Sequence, residues 1–227
     1  SSAITTGSKN TAFGAGAGGA ITTISETVFI GAYAGDAVTT TGTGQDGTVA
    51  IGANALGVLT SGAKNVAVGY RAGFETEIGD SNIAIGYKTM IGDAGLQNDS
   101  NIAIGSENID ASVFGAMSGQ WANTASTNNI AIGTGSMSGA MDDSKQNVAV
   151  GQTALAALTT GHHNVSMGSS AGAGITTANS TVFIGSNAGQ AVTVTGSGTP
   201  GASDGSIGIG KSALAALTSG AGNVAVG

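Results

Sequence analysis

Asn65-Val66-Ala67-Val68-Gly69 and Asn82-Ile83-Ala84-Ile85-Gly86 are two copies of one five-residue word: polar, apolar, small, apolar, glycine. Its recurrence decides how the chain folds. Close copies run from Asn101 to Gly105, Asn129 to Gly133, Asn147 to Gly151 and Asn223 to Gly227. Looser ones, from Asn10 to Gly14, Thr27 to Gly31, Thr48 to Gly52, Asn164 to Gly168, Thr181 to Gly185 and Ser206 to Gly210, bring the total to twelve. Six of the eleven intervals between closing glycines equal 17, and the others are 18, 19, 21, 25 and 28. None is shorter. A stacked rung has a minimum circumference and tolerates loops, so a repeat with only lengthened members is the mark of a solenoid.

Within a word, Val66 and Val68 lie two apart and share one face of a strand, while Ala67 takes the other. The closing glycine permits positive φ, and the leading asparagine tolerates the left-handed region and bonds its own backbone in turns. Stacked in register, the asparagines are expected to form a ladder of side-chain amides. A second phrase recurs as Ala55 to Gly62, Ala154 to Gly161 and Ala213 to Gly220, with leucines three apart among alanines. This spacing suits a helix, but nine residues between Gly151 and Gly161 are too few for one to persist, and Tyr70-Arg71-Ala72-Gly73-Phe74 holds glycine at the equivalent place. A compact turn with two core leucines is the reading. The expected fold is therefore all-β: a parallel β-solenoid or β-roll of about 12 rungs with a 17-residue repeat.

One repeat segment spans residues 1–227, with insertions at 106–128 and 190–205. Above it lies a super-repeat in which 10–69 matches 164–227: residues 10–44 equal 164–198 at 20 of 35 positions, and 48–69 equal 206–227 at 14 of 22. The offset grows from 154 to 158 near Pro200. Neither end carries the polar cap a solenoid needs, so the segment is expected to belong to a longer chain.

Composition excludes several classes. The 227 residues include 41 glycines, one proline and no cysteine, and 8% are charged. Collagen would need glycine at every third position with abundant proline, and disorder would need low hydrophobicity with high charge. Without cysteine there are no disulfides, thiolate metal sites or cysteine nucleophiles. A net charge of −7 with six scattered cations argues against nucleic acid and anionic lipid as partners, and no apolar run is long enough for membrane insertion.

Stacked at about 4.8 Å, twelve rungs make a narrow rod roughly 55 Å long. Two or three apolar side chains inside each coil bury little, and alanine- and glycine-rich outer positions leave apolar surface uncovered. Three coils around an axis would cover it, so the partner expected first is self, as an intertwined homotrimeric fibre.

The phrases Leu158-Thr159-Thr160-Gly161-His162-His163-Asn164-Val165-Ser166-Met167-Gly168 and Leu217 to Gly227 resemble the T-T-G-x-x-N-x-A-x-G repeats of tailed-bacteriophage tail fibres. The word itself, as in Asn82 to Gly86, is similar to the head repeats of trimeric autotransporter adhesins of the Yersinia type. Both resemblances cover essentially the whole chain. They imply a trimeric extracellular fibre that attaches to cells, binding a host cell-surface receptor or glycan directly or through a distal tip. The rungs here are longer than those expected of the adhesin heads, which favours the virion tail over the bacterial cell surface. An ice- or polysaccharide-binding solenoid is a further alternative, but the threonine runs Thr39-Thr40-Thr41 and Thr193-Val194-Thr195 mark only two rungs.

Other motifs each have an ordinary structural reading. Gly14-Ala15-Gly16-Ala17-Gly18-Gly19 satisfies G-x-G-x-x-G, yet no strand-helix-strand unit surrounds it. Gly42-Thr43-Gly44-Gln45-Asp46 looks like half of a calcium nonapeptide without the tandem copy that would complete the shell. His162 and His163 replace residues of an exposed turn, and a threefold axis could gather them around a metal. Glu75 with Glu77, and Asp142 with Asp143, are paired carboxylates of the kind hydrolysis needs, on positions that suit solvated turns. Trp121, the only tryptophan, lies in the longest insertion and either plugs the solenoid there or contacts a partner. The reading is thus a non-enzymatic structural protein without cofactor or metal, whose repeat residues are Asn65, Val66, Val68, Gly69, Asn82, Ile83, Ile85, Gly86, Asn101, Gly105, Asn129, Gly133, Asn147, Gly151, Asn223 and Gly227, with Trp121 as a candidate surface contact.

Overall fold

The computed structural model describes residues 7–37, 46–74, 79–90, 98–106, 126–192, 204–218 and 220–227. Every word is a three-residue strand: β1 (Thr11–Phe13), β2 (Val28–Ile30), β3 (Val49–Ile51), β4 (Val66–Val68), β5 (Ile83–Ile85), β6 (Ile102–Ile104), β7 (Ile130–Ile132), β8 (Val148–Val150), β9 (Val165–Met167), β10 (Val182–Ile184), β11 (Ile207–Ile209) and β12 (Val224–Val226). They stack in sequence order into one parallel sheet, each strand pairing only with the copies before and after it. Registers match residue for residue, as in Ala67 opposite Ala84 and Ala84 opposite Ala103. Lengthened rungs keep this register, because Ile104 and Ile132 still align across the 28-residue interval. The fold is a β-solenoid, and the described residues contain no helix.

The alanine- and leucine-bearing phrase is a turn, as its glycine-containing equivalents require. Leu155 and Leu158 are fully buried within it, as is Leu59 in the earlier copy. Numbering outward from each closing glycine, the second and fourth residues of this turn are left-handed: Arg71 and Gly73, Thr153 and Leu155, Asn187 and Gly189 have φ between 50° and 61°. Alternation of this kind aims successive N–H groups in opposite directions along the rod. Arg71 N–H donates to Ala53 of the preceding rung and Gly73 N–H to Thr89 of the following one, at 3.0 and 2.9 Å. Left-handed L-residues cost about 1–2 kcal/mol each, and twenty-three non-glycine residues among those described accept that conformation. Inter-rung bonding around the whole coil offsets the cost, since an unpaired buried amide is as unfavourable.

At the word's closing glycines φ lies between +123° and +157°. Close approach reinforces the requirement: a Cβ on Gly69 would stand 2.4 Å from the Gly86 carbonyl oxygen, and one on Gly151 2.5 Å from that of Gly168. Backbone packs directly on backbone along this column of glycines.

The strand faces reverse the usual arrangement. The small central residue points inward, and the bulky pair points outward. Ala50, Ala67, Ala84, Ala103, Ala131 and Ala149 are buried, whereas Val66, Val68, Ile83 and Ile85 are part-exposed or exposed. The interior is so narrow that an alanine usually fills the strand's share of it, the turn supplying the rest. Where the inward residue is large, the turn gives way. Phe29 and Phe183 are met by Gly35 and Gly189, at which a Cβ would come within 2.6 Å of the ring. Where it is alanine, as at Ala50, Ala84, Ala131 and Ala149, the same turn position carries Leu56, Met90, Met137 and Leu155, all buried. Dense packing demands a constant interior volume, and complementary pairs within each rung meet that demand.

Candidate functional site

At the corner leading into each strand stands the asparagine ladder. Asn101 Oδ1 accepts from the backbone N–H and the Nδ2 of Asn129 at 3.0 and 3.2 Å, while Asn101 Nδ2 donates to the Ser126 carbonyl at 2.8 Å. The pattern repeats through Asn65, Asn82, Asn129, Asn147 and Asn164. Thr181 closes it, its Oγ1 donating to Asn164 Oδ1. These amides are buried and bond to the neighbouring rung rather than to their own backbone. The left-handed position also differs from the expectation: the residue before each asparagine occupies it, as Lys64, Ser81, Ser100 and His163 show. Asn223, in the last word, instead bonds within its own rung, to Gly220. The repeat residues are thereby scaffold, with no polar group turned to a ligand.

Outside the core, exposed large apolar side chains fall in two places among the described residues. Eight of the eleven, Phe13, Ile85, Ile132, Met167, Ile184, Ile209, Val224 and Val226, belong to the words and sit on the outer face of the sheet. The first and third residues of each word make two continuous rows of mostly valine and isoleucine along the rod. The other three are the chain's three tyrosines, Tyr33, Tyr70 and Tyr87, one or two residues past the corner glycines. Tyr70 and Tyr87 occupy one column on successive rungs and stack, with centroids 5.4 Å apart and planes 16° from parallel. Lys88 Nζ lies 5.3 Å from the Tyr87 centroid. The guanidinium of Arg71 lies 4.1 Å from the Phe74 centroid. The spacing of the words alone did not single out this tyrosine ledge, although the position of all three tyrosines just after a closing glycine was a visible signal.

The remaining candidates separate into those the rungs absorb and those outside the described residues. Gly14 to Gly19 forms a turn with no helix after it, and its glycines make room for protein: a Cβ on Gly16 would meet the Tyr33 ring, and one on Gly19 the Asp36 carboxylate. Asp46 accepts a hydrogen bond from the Ser25 N–H at 2.8 Å, which engages it in a turn; the rest of that motif, residues 42–45, lies outside the described residues. So do Glu75 and Glu77, Trp121, and both threonine runs. Asp143 pairs with Lys145, not with Asp142. His162 and His163 have ring centroids 6.2 Å apart and occupy an edge turn beside Asp143 and Lys145. Burial pushes the His162 imidazole below its ordinary pKa, with Asp143 opposing the shift. No group of three or more potential metal ligands occurs among the described residues, and no helix there is long and apolar enough to cross a membrane. Compared with known proteins, the chain matches no family model, no curated protein and no solved structure.

Proposed function

We propose that the chain is a shaft and adhesive segment of a trimeric extracellular fibre, of the kind found in phage tails, that holds a virion against its host cell. One observation carries the reading: the outer sheet face is apolar along the rod. Twelve strands of three residues present a strip of roughly 500 Å², taking about 3.3 Å per residue and 4.8 Å per strand. Contiguous exposed apolar patches beyond a few hundred Å² mark interaction surfaces. A straight strip that repeats every rung fits another copy of itself in the same register, and three copies around an axis bury all three strips together. Stacked backbone bonds give stiffness along the rod, and the buried strips prevent the chains from separating.

Light scattering on the purified segment tests the assembly. A mass about three times the 21.5 kDa of the chain is expected, and a monomer would defeat the reading. A bacterial surface fibre of the same build shares the same support; the genes beside this one, virion components or a secretion anchor, separate the two.

A further inference from the structure

The tyrosine ledge has no role in the rod. In register, the column that holds Tyr70 and Tyr87 continues as Ala53 on one side and Ser106 on the other. The stack is thus two rings long. The face of Tyr70 turned away from Tyr87 looks over an alanine, and both rings are close to half exposed. Stacking two tyrosines on exposed positions orders apolar surface without burying it, since alanine and serine fill the same column elsewhere. Cations gather at the same place. Of the six in the chain, Arg71 and Lys88 adjoin these tyrosines in sequence, and Lys88 stands over the Tyr87 ring. Lys9 and Lys145 are paired with Glu26 and Asp143, whereas among the described residues no carboxylate pairs with Arg71, and its Nε is buried without a hydrogen-bond partner. In a chain of net charge −7, two cations beside the stacked tyrosines are a local reversal of sign.

We infer that this ledge binds an acidic carbohydrate, a pyranose ring lying on the open face of Tyr70 with its carboxylate in the field of Arg71 and Lys88. An aromatic face offers apolar contact to the C–H side of a sugar ring, and the cations select the charged member of a pair of otherwise similar sugars. The site names a ligand class for the adhesive reading above and rests on it.

Polygalacturonate and its methyl ester are the probes, immobilised separately and titrated with the assembled protein. Saturable binding to polygalacturonate is expected, with weaker binding to the uncharged ester. Tyr70→Ala lowers affinity about tenfold, the equivalent of about 1.4 kcal/mol, while Tyr70→Phe retains it. Alanine already occupies this column at Ala53, so the variant keeps the fold. Arg71→Gln with Lys88→Gln removes the preference for the acid. Absence of binding to polygalacturonate, equal binding to the ester, or affinity unchanged in Tyr70→Ala overturns the inference. The mass of the same sample keeps the two readings apart. A trimer that ignores both polymers overturns the site alone, and a monomer that binds polygalacturonate overturns the trimer alone.

Discussion

Each ladder asparagine makes three hydrogen bonds to its neighbours, and each partner is a buried group that water does not reach. Asn101→Ala leaves the Ser126 carbonyl and the Asn129 N–H without the side chain that satisfied them. At about 1–3 kcal/mol for each such group, the variant should lose about 2–4 kcal/mol, read as a lower midpoint in urea. Asn101→Thr should lose less, because Thr27 and Thr181 hold the same position and donate to the preceding asparagine at 2.8 and 2.7 Å. Titration of His162 is a second effect at this scale. Its folded pKa is depressed by burial, so below the ordinary histidine value, about 6.5, the unfolded chain binds the proton more readily. Stability is therefore complete above that value and falls as pH descends toward the folded pKa. Thermal melts between about pH 7.5 and 5.5 should show this slope, and His162→Asn should flatten it. The ladder was legible in the spacing of asparagines. Its left-handed neighbour was not, since Lys64, Ser81, Ser100 and His163 share no single residue type.

Within a rung, strand and turn share one narrow interior, so their side chains are chosen jointly. Phe183 opposite Gly189 and Ala149 opposite Leu155 are two solutions to the same volume. Phe183→Ala alone opens a cavity and should cost about 3–5 kcal/mol. Gly189→Leu alone drives a side chain into the ring. Together they recreate the arrangement of the Ala149 rung, whose Leu155 has φ of 50° against 60° for Gly189. The double variant should recover more than about 1 kcal/mol relative to the sum of the singles, a coupling that a double-mutant cycle in urea measures. Strand and turn were both legible, the strand from period two and the turn from glycine in the equivalent segments. Which face of the strand is inside was not. Bulk and β-branching normally mark the buried face, and here the coil is too thin to admit two β-branched side chains per strand.

Over the whole rod the consequence is a sheet whose valines and isoleucines face outward. In a single chain, Ile85 and Ile132 are surface residues and their replacement by lysine should change stability by no more than about 0.5 kcal/mol. In a trimer that buries the strips, Ile85→Lys with Ile132→Lys sets six ammonium groups around one axis without counter-charges. Sedimentation should then show the double variant dissociated into folded 21.5 kDa chains whose circular dichroism matches the parent. An unchanged mass would place the contact between chains on another face.

The period of the word determined the rung, the parallel stacking order and the asparagine ladder, because each follows from a repeated local chemistry that a string of residues displays directly. Repetition also foretold that loops such as 106–128 would lengthen a rung without shifting its register. Tertiary structure alone decided the direction in which each side chain points. That choice depends on the diameter of the closed coil, which is set by left-handed residues of many types and by glycine columns in contact from rung to rung. It turned the valines and isoleucines outward. It likewise brought Tyr70 and Tyr87, one full repeat apart in the chain, into one stack.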